Sequence, residues 1–410
     1  NVTIQASDFI EMSGLSPRTR LHNNIGTQTT LDPRAPARIG NAGDVTISTR
    51  RLSMRDASYI SGLSFSNGTG GNITVNADTL DMSGGVVGAI WGTYGTAISS
   101  VAYNSGNAGN ITVNTRSGSL RDGAIISTTS LNRGNAGNVT VNATESFTLS
   151  GFFTAAGLPT NISSTKGVPA TSSLRRQDYY QAIGNAGSVT INTDNLTIEN
   201  GAAATVTNYG IGDAGVLKVN AGSVLLRDRA SLEAKTAQGE GGNIVVNAEN
   251  LRLLQNSFIA TDANTIGNGG NITINAPIIL GTNNSDINAN ATGGRGGNIE
   301  ITTQGIIGLA FRDTLTPRLN NTSDITASSG IGIKGNVQVN NVGVDPNSGL
   351  VELSETFNDE SQQVAAGCMP NQTSRFVITG RGGIPQSPND RTDAIRAWSD
   401  VRPLSIRSST

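Results

Sequence analysis

The chain has 410 residues, with 28 Lys and Arg against 30 Asp and Glu, one Cys and one His. A net charge of -2 gives no electrostatic reason to expect nucleic acid or an anionic membrane as partner. One Cys excludes an internal disulfide framework and a Cys-based zinc site, one His excludes a multi-His metal centre, and no apolar window is long enough to cross a bilayer as a helix.

The chain opens with Asn1-Val2-Thr3-Ile4, alternating polar and apolar. A hexapeptide of Gly, usually Asn, apolar-x-apolar and usually Asn recurs ten times. It reads GDVTIS from Gly43, GNITVN from Gly71 and Gly109, GNVTVN from Gly137, GSVTIN from Gly187 and GVLKVN from Gly215. It continues as GNIVVN from Gly242, GNITIN from Gly270, GNIEIT from Gly297 and GNVQVN from Gly335. The spacings are 28, 38, 28, 50, 28, 27, 28, 27 and 38 residues, a unit of 27 or 28 with three insertions of about 10, 22 and 10 residues. The opening tetrapeptide is this motif without its Gly, so the chain reads as starting in mid-coil: either a piece of a longer protein or an end that docks onto something.

Within a unit the alternation is that of strands. Val189-x-Ile191 is followed by Leu196-x-Ile198 and the stretch Ala202 to Val206, and Ile244-x-Val246 by Leu251-x-Leu253 and Phe258-Ile259-Ala260. Each unit thus offers three short strands with one apolar face apiece, separated by turns rich in Gly, Asn and Asp. Such faces are buried only when the chain coils and each turn stacks on the next, with the usual strand separation of about 4.8 Å. The predicted fold is all-β, a parallel β-helix over residues 1–340. Asn76, Asn114, Asn142, Asn192, Asn220, Asn247 and Asn275 recur at one place in successive coils and form an expected amide ladder. Thr46, Thr74, Thr112 and Thr140 form an outward Thr ladder, and Arg50, Asp78 and Arg116 alternate in sign on successive coils.

The insertions fall near residues 84–103, 152–182 and 308–321. The first carries Trp91, Tyr94 and Tyr103; the second Phe152, Phe153, Arg175, Arg176, Tyr179 and Tyr180; the third Phe311, Arg312 and Arg318. Nearly half of the 17 aromatics fall here, and aromatic faces beside Arg suit sugar rings or a partner protein. The plainer reading is that these loops fold back and cover the flank of the solenoid. After Asn341 the repeat stops, and residues 341–410 read as a non-repetitive C-terminal cap, with helices expected after Asp359 and from about Thr392 to Trp398. Cys368 lies in it, a semi-buried thiol or a candidate intermolecular link.

Catalytic signatures are weak. A β-helix glycosidase needs carboxylates clustered on neighbouring coils, and Arg55-Asp56, Arg121-Asp122 and Arg227-Asp228 share a turn on coils that are not adjacent. His22 has no nucleophile beside it. Gly330-x-Gly332-x-x-Gly335 precedes a strand where a dinucleotide fingerprint requires a helix. No cofactor and no metal are expected.

With these residues in view, the chain resembles the filamentous haemagglutinin-type exoproteins of two-partner secretion. The resemblance rests on GNAGNITVN (Gly106 to Asn114), on SDITASSGIGIKGNVQVN (Ser323 to Asn340) with VDPNSGLVEL after it, and on the tail with Cys368, Phe376 and TGRGGIPQSP (Thr379 to Pro388). It implies a right-handed β-helix, export through an outer-membrane transporter partner, a Gram-negative-type cell surface or extracellular location, and a role in adhesion, aggregation or biofilm contact. The N-terminal secretion domain of that family has no counterpart in this sequence. Two other classes stay open: a self-assembling extracellular fibril subunit stacked end to end, and a β-helix polysaccharide-degrading enzyme.

Overall fold

The structure, a computed structural model, describes residues 1–16, 22–29, 40–89, 92–169, 182–263 and 267–341. The described residues belong to one compact unit, Asn1–Gly349. The expected cap over 341–410, with Cys368, lies outside them except for Asn341.

The chain forms a parallel β-solenoid. Strands pair in register with the coil before and the coil after, building one sheet of 14 strands and one of 11. Two-stranded antiparallel sheets occur twice, both in insertions.

The three strands expected per coil become two. In a regular coil the first two merge into one long strand, as in Val45–Arg55, Ile111–Arg121 and Val189–Glu199. The reason is visible in Ile111–Arg121. Ile111, Val113 and Thr115 point inward, Arg116 and Ser117 both point outward, and Gly118 and Leu120 point inward again. The inward phase slips by one residue, which turns the strand around a corner of the core without breaking its hydrogen-bond ladder. Thr115 steadies this corner, its hydroxyl donating to the carbonyls of Asp78 (3.1 Å) and Ser117 (2.9 Å). Near residue 277 the strand divides, into Ile272–Asn275 and Ile278–Thr282, because Pro277 has no N–H for the ladder; it is divided as well in the first coil (Val2–Gln5, Phe9–Ser13) and at Ile299–Thr303 and Gly305–Ile307.

A left-handed two-residue turn then leads into the second sheet. Asp122-Gly123, Asn200-Gly201, Asp228-Arg229 and Asn283-Asn284 all have positive φ there, a conformation that Asn, Asp and Gly adopt at little cost. The second-sheet strands place Ile60, Ile98, Ile126, Ile162, Ala204, Leu232, Ile259, Ile287 and Ile325 in one buried inward column. Each buried Ile or Leu contributes roughly 1.5–3 kcal/mol.

The motif glycines stack where backbones touch. A Cβ on Gly71 would lie 2.0 Å from the carbonyl oxygen of Gly43, and one on Gly109 2.2 Å from that of Gly71, so no other residue fits. The Asn ladder forms as expected, with amide-to-amide distances of 2.7–2.9 Å from Asn76 through Asn275. A second ladder stands beside it. The side-chain oxygens of Asn72, Asn110 and Asn138 each accept from the backbone N–H one coil on, at 2.8–2.9 Å. The charge alternation resolves differently: Arg50 pairs with Asp8 and Arg116 with Glu145, not with Asp78. Glu145 sits in a bulge of Val139–Ser150, which pushes it toward Arg116.

Candidate functional site

The inserted residues project at the corners, and the first two expected segments are wider than the insertions within them. Ala97–Ala102 and Asn161–Lys166, inside the first two expected segments, are regular second-sheet strands. Two short hairpins remain among the described residues. Gly85–Ala89 pairs with Gly92–Gly95, and Phe152–Phe153 with Leu158–Pro159. Both are inserted after the left-handed Gly84 and Gly151 at the same corner of the solenoid, two coils apart, with Gly123 in the coil between. A Cβ on Gly123 would meet Cβ of Phe153 at 2.6 Å, so the second hairpin lies directly on this turn.

The hairpins border a trough of about 520 Å³ on the outer face of the second sheet. Its floor is made of outward residues from successive coils, including Ser127, Thr129, Ser163, Thr165, Thr205 and Thr207. One wall carries Gly95, Leu158 and Pro159 from the hairpins and the opposite wall Tyr103, Leu131, Val168 and Tyr209. No charged side chain is among its described lining residues. Tyr103 stacks on Phe65 of the preceding coil with centroids 4.4 Å apart and planes 14° apart, and packs against buried Leu131 and Val168. The wall is therefore built stiff by coil-to-coil stacking. Burial raises the Tyr209 hydroxyl above its ordinary pKa, opposed by Lys235 and reinforced by Glu233.

The expected contact residues distribute as follows. Tyr103 lines the trough. Phe152 is 40% exposed at the corner and Phe153 is half-buried against the turn below. Tyr94 lies in the returning strand of the first hairpin, opposite Val86. Trp91, Arg175, Arg176, Tyr179 and Tyr180 lie outside the described residues. The third insertion folds over the outer face of the second sheet. Its Ala310–Phe311 pairs in parallel with Asp324–Thr326, and Thr326 donates to the Thr314 carbonyl at 2.8 Å. Phe311 stays exposed, while Arg312 is committed to the buried carboxylate of Asp324 at 2.6 Å. Arg318 covers the ring of Phe258 at 4.2 Å and pairs with Asp262 at 3.0 Å. Covering the flank is thus what this loop does.

Two features were missed in the sequence. Lys166 is an inward residue and fully buried, its ammonium donating to the Ser130 hydroxyl (3.1 Å) and the Asn132 carbonyl (2.7 Å). Burial lowers its pKa from 10.5 to about 8. Carboxylates also line up on adjacent coils after all: Asp286 and Asp324 stack, since Ile287 pairs with Ile325, and the Asp324 N–H donates to Asp286 Oδ1 at 2.9 Å. The insertion between them sets them 38 residues apart in sequence, which hid the pairing. His22 packs against the Tyr59 ring, and burial lowers its pKa.

No family model, curated protein or solved structure matches this chain. Among the described residues no helix is long and apolar enough to cross a membrane.

Proposed function

We propose that this chain is the surface-presenting shaft of an exported adhesin of the filamentous haemagglutinin type, acting by contact and without turnover. The trough carries this reading. Its hydroxyl-rich uncharged floor and its Tyr and Leu walls offer hydrogen bonds to sugar hydroxyls and apolar surface to ring C–H faces. Its floor repeats with each coil, about every 4.8 Å, so a linear glycan lying along the solenoid axis meets the same chemistry at each step. The export route through an outer-membrane transporter and the extracellular location are parts of the same proposal, supported by the sequence resemblance.

The test is to fill the trough. Thr165→Trp introduces a bulky ring on an outward position of the floor. Binding of the purified chain to a glycan array, and adhesion of coated beads to cells, are expected to fall by at least about tenfold, the equivalent of one well-placed hydrogen bond or stacking contact. Unchanged binding with an intact β spectrum sinks the trough as the contact surface.

A further inference from the structure

Beyond the trough, the third insertion roofs a separate pocket of about 460 Å³ on the same outer face. Asp262, Asn288 and Asn290 stand on one side, and Leu315, Arg318 and Leu319 of the insertion on the other. The roof is pinned. Asn290 Nδ2 donates to the Thr314 carbonyl at 3.2 Å, and Arg318 holds Asp262 from above.

Beneath this roof, buried hydrogen-bond acceptors stand without a donor among the described residues. Asn288 is 1% exposed and lines the pocket, yet its Oδ1 has no partner among the described residues. Oδ2 of Asp286, fully buried behind the pocket's lining, also has none among the described residues. Leaving such an acceptor unsatisfied costs about 1–3 kcal/mol, which a bound donor recovers. A half-turn of the Asn288 carboxamide exchanges its oxygen and nitrogen, so the residue can offer an acceptor to the cavity. The charges nearby are largely matched: Arg318 pairs with Asp262, Arg312 with Asp324 and Lys334 with Asp313. Asp286 forms no ion pair among the described residues; burial raises its carboxyl to about 6, against the Asp324 N–H and the charge of Arg318. Matched charges give no strong pull on an anion. Spare acceptors favour a ligand with several O–H groups, and Leu315, Pro317 and Leu319 supply apolar contact for its carbon skeleton.

We propose that this pocket binds one neutral, hydroxyl-rich ring the size of a single sugar unit, with Asn288 and Asp262 accepting from its hydroxyls. The assignment extends the glycan-contact reading to a second site, and the two can fail separately. The experiment is saturation-transfer NMR on the full chain with glucose, galactose and mannose, and with glucuronate and glucosamine as charged comparators. Transfer is expected from at least one neutral sugar, weakened about tenfold by Asn288→Leu and retained in Thr165→Trp. If Asn288→Leu does not fold, Leu319→Asp at the exposed rim is read instead, with the same expected loss. The proposal is overturned by absence of transfer from every neutral sugar, by transfer only from a charged comparator, or by equal transfer in the pocket variants. Loss of the signal in Thr165→Trp alone overturns it too, by placing the bound sugar in the trough.

Discussion

The pairing of Gly118 with Phe147 offers the sharpest test of how the core is packed. The two are directly opposite on adjacent coils, in an inward column that otherwise reads Leu80, Leu196, Val224, Leu251 and Ile279. A Cβ on Gly118 would lie 2.3 Å from Cε2 and 2.6 Å from Cδ2 of the fully buried Phe147 ring. The ring therefore occupies the space a side chain at 118 would need. Gly118→Ala alone is expected to cost about 1–3 kcal/mol by overpacking. Phe147→Leu alone is expected to cost about 1–2 kcal/mol by leaving a small cavity. In the double variant the new methyl enters the vacated space, so the combined cost falls short of the sum by about 1 kcal/mol or more. Hydrogen exchange of Ile111–Arg121 and Val139–Ser150 reads the effect locally, because a solenoid loses stability coil by coil. Protection in Asn243–Leu254, several coils away, serves as the internal control. Strict additivity, or a Gly118→Ala variant with undiminished protection, refutes the complementarity.

Two further expectations follow from the ladders and the buried lysine. Asn142 donates to Asn114 and accepts from Asn192, whereas Asn275 ends its ladder, so Asn142→Ala should lower local stability by about 1 kcal/mol more than Asn275→Ala in urea titrations; equal costs count against a cooperative ladder. The unfolded chain keeps the Lys166 proton up to about pH 10.5 and the folded one releases it near 8, so stability is lowest below pH 8 and rises across that window. Lys166→Met should remove the rise in denaturation curves taken from pH 7.5 to 10.5, and a slope that persists unchanged assigns it to other groups.

How much of this was legible depended on the constraint behind each residue. Gly71 and Gly109 announce the repeat because a Cβ there would strike a carbonyl, and Asn76 through Asn275 announce their ladder because each amide serves two neighbours. The merging of two expected strands into one was hidden, since Arg116 and Ser117 look like a turn but only slip the inward phase. The outer columns of the second sheet carry no motif. Nothing in the sequence fixes their register except the inward Ile column, and Asp286 and Asp324 become neighbours only once Ile287 is set against Ile325. Lys166 defied pattern reading for a different reason. Its position is inward, where hydroxyls of Ser130 and its own stem replace the apolar residue that periodicity calls for.

The divided strand at Pro277 bears on how such a molecule would carry load. Hydrogen bonds between coils run along the solenoid axis, so axial tension is borne by all junctions in series and the weakest one yields first. Junctions from Val45–Arg55 to Asn243–Leu254 are built on strands of 11 or 12 residues, such as Ile73–Ser83 and Val139–Ser150, whereas the first coil offers only Val2–Gln5 and Phe9–Ser13. Beyond Pro277 the corresponding strands are Ile299–Thr303 and Gly305–Ile307, of 5 and 3 residues. A solenoid under tension would therefore part at its short-stranded coils while those bearing the trough stayed wound, a mechanical fuse placed away from the trough.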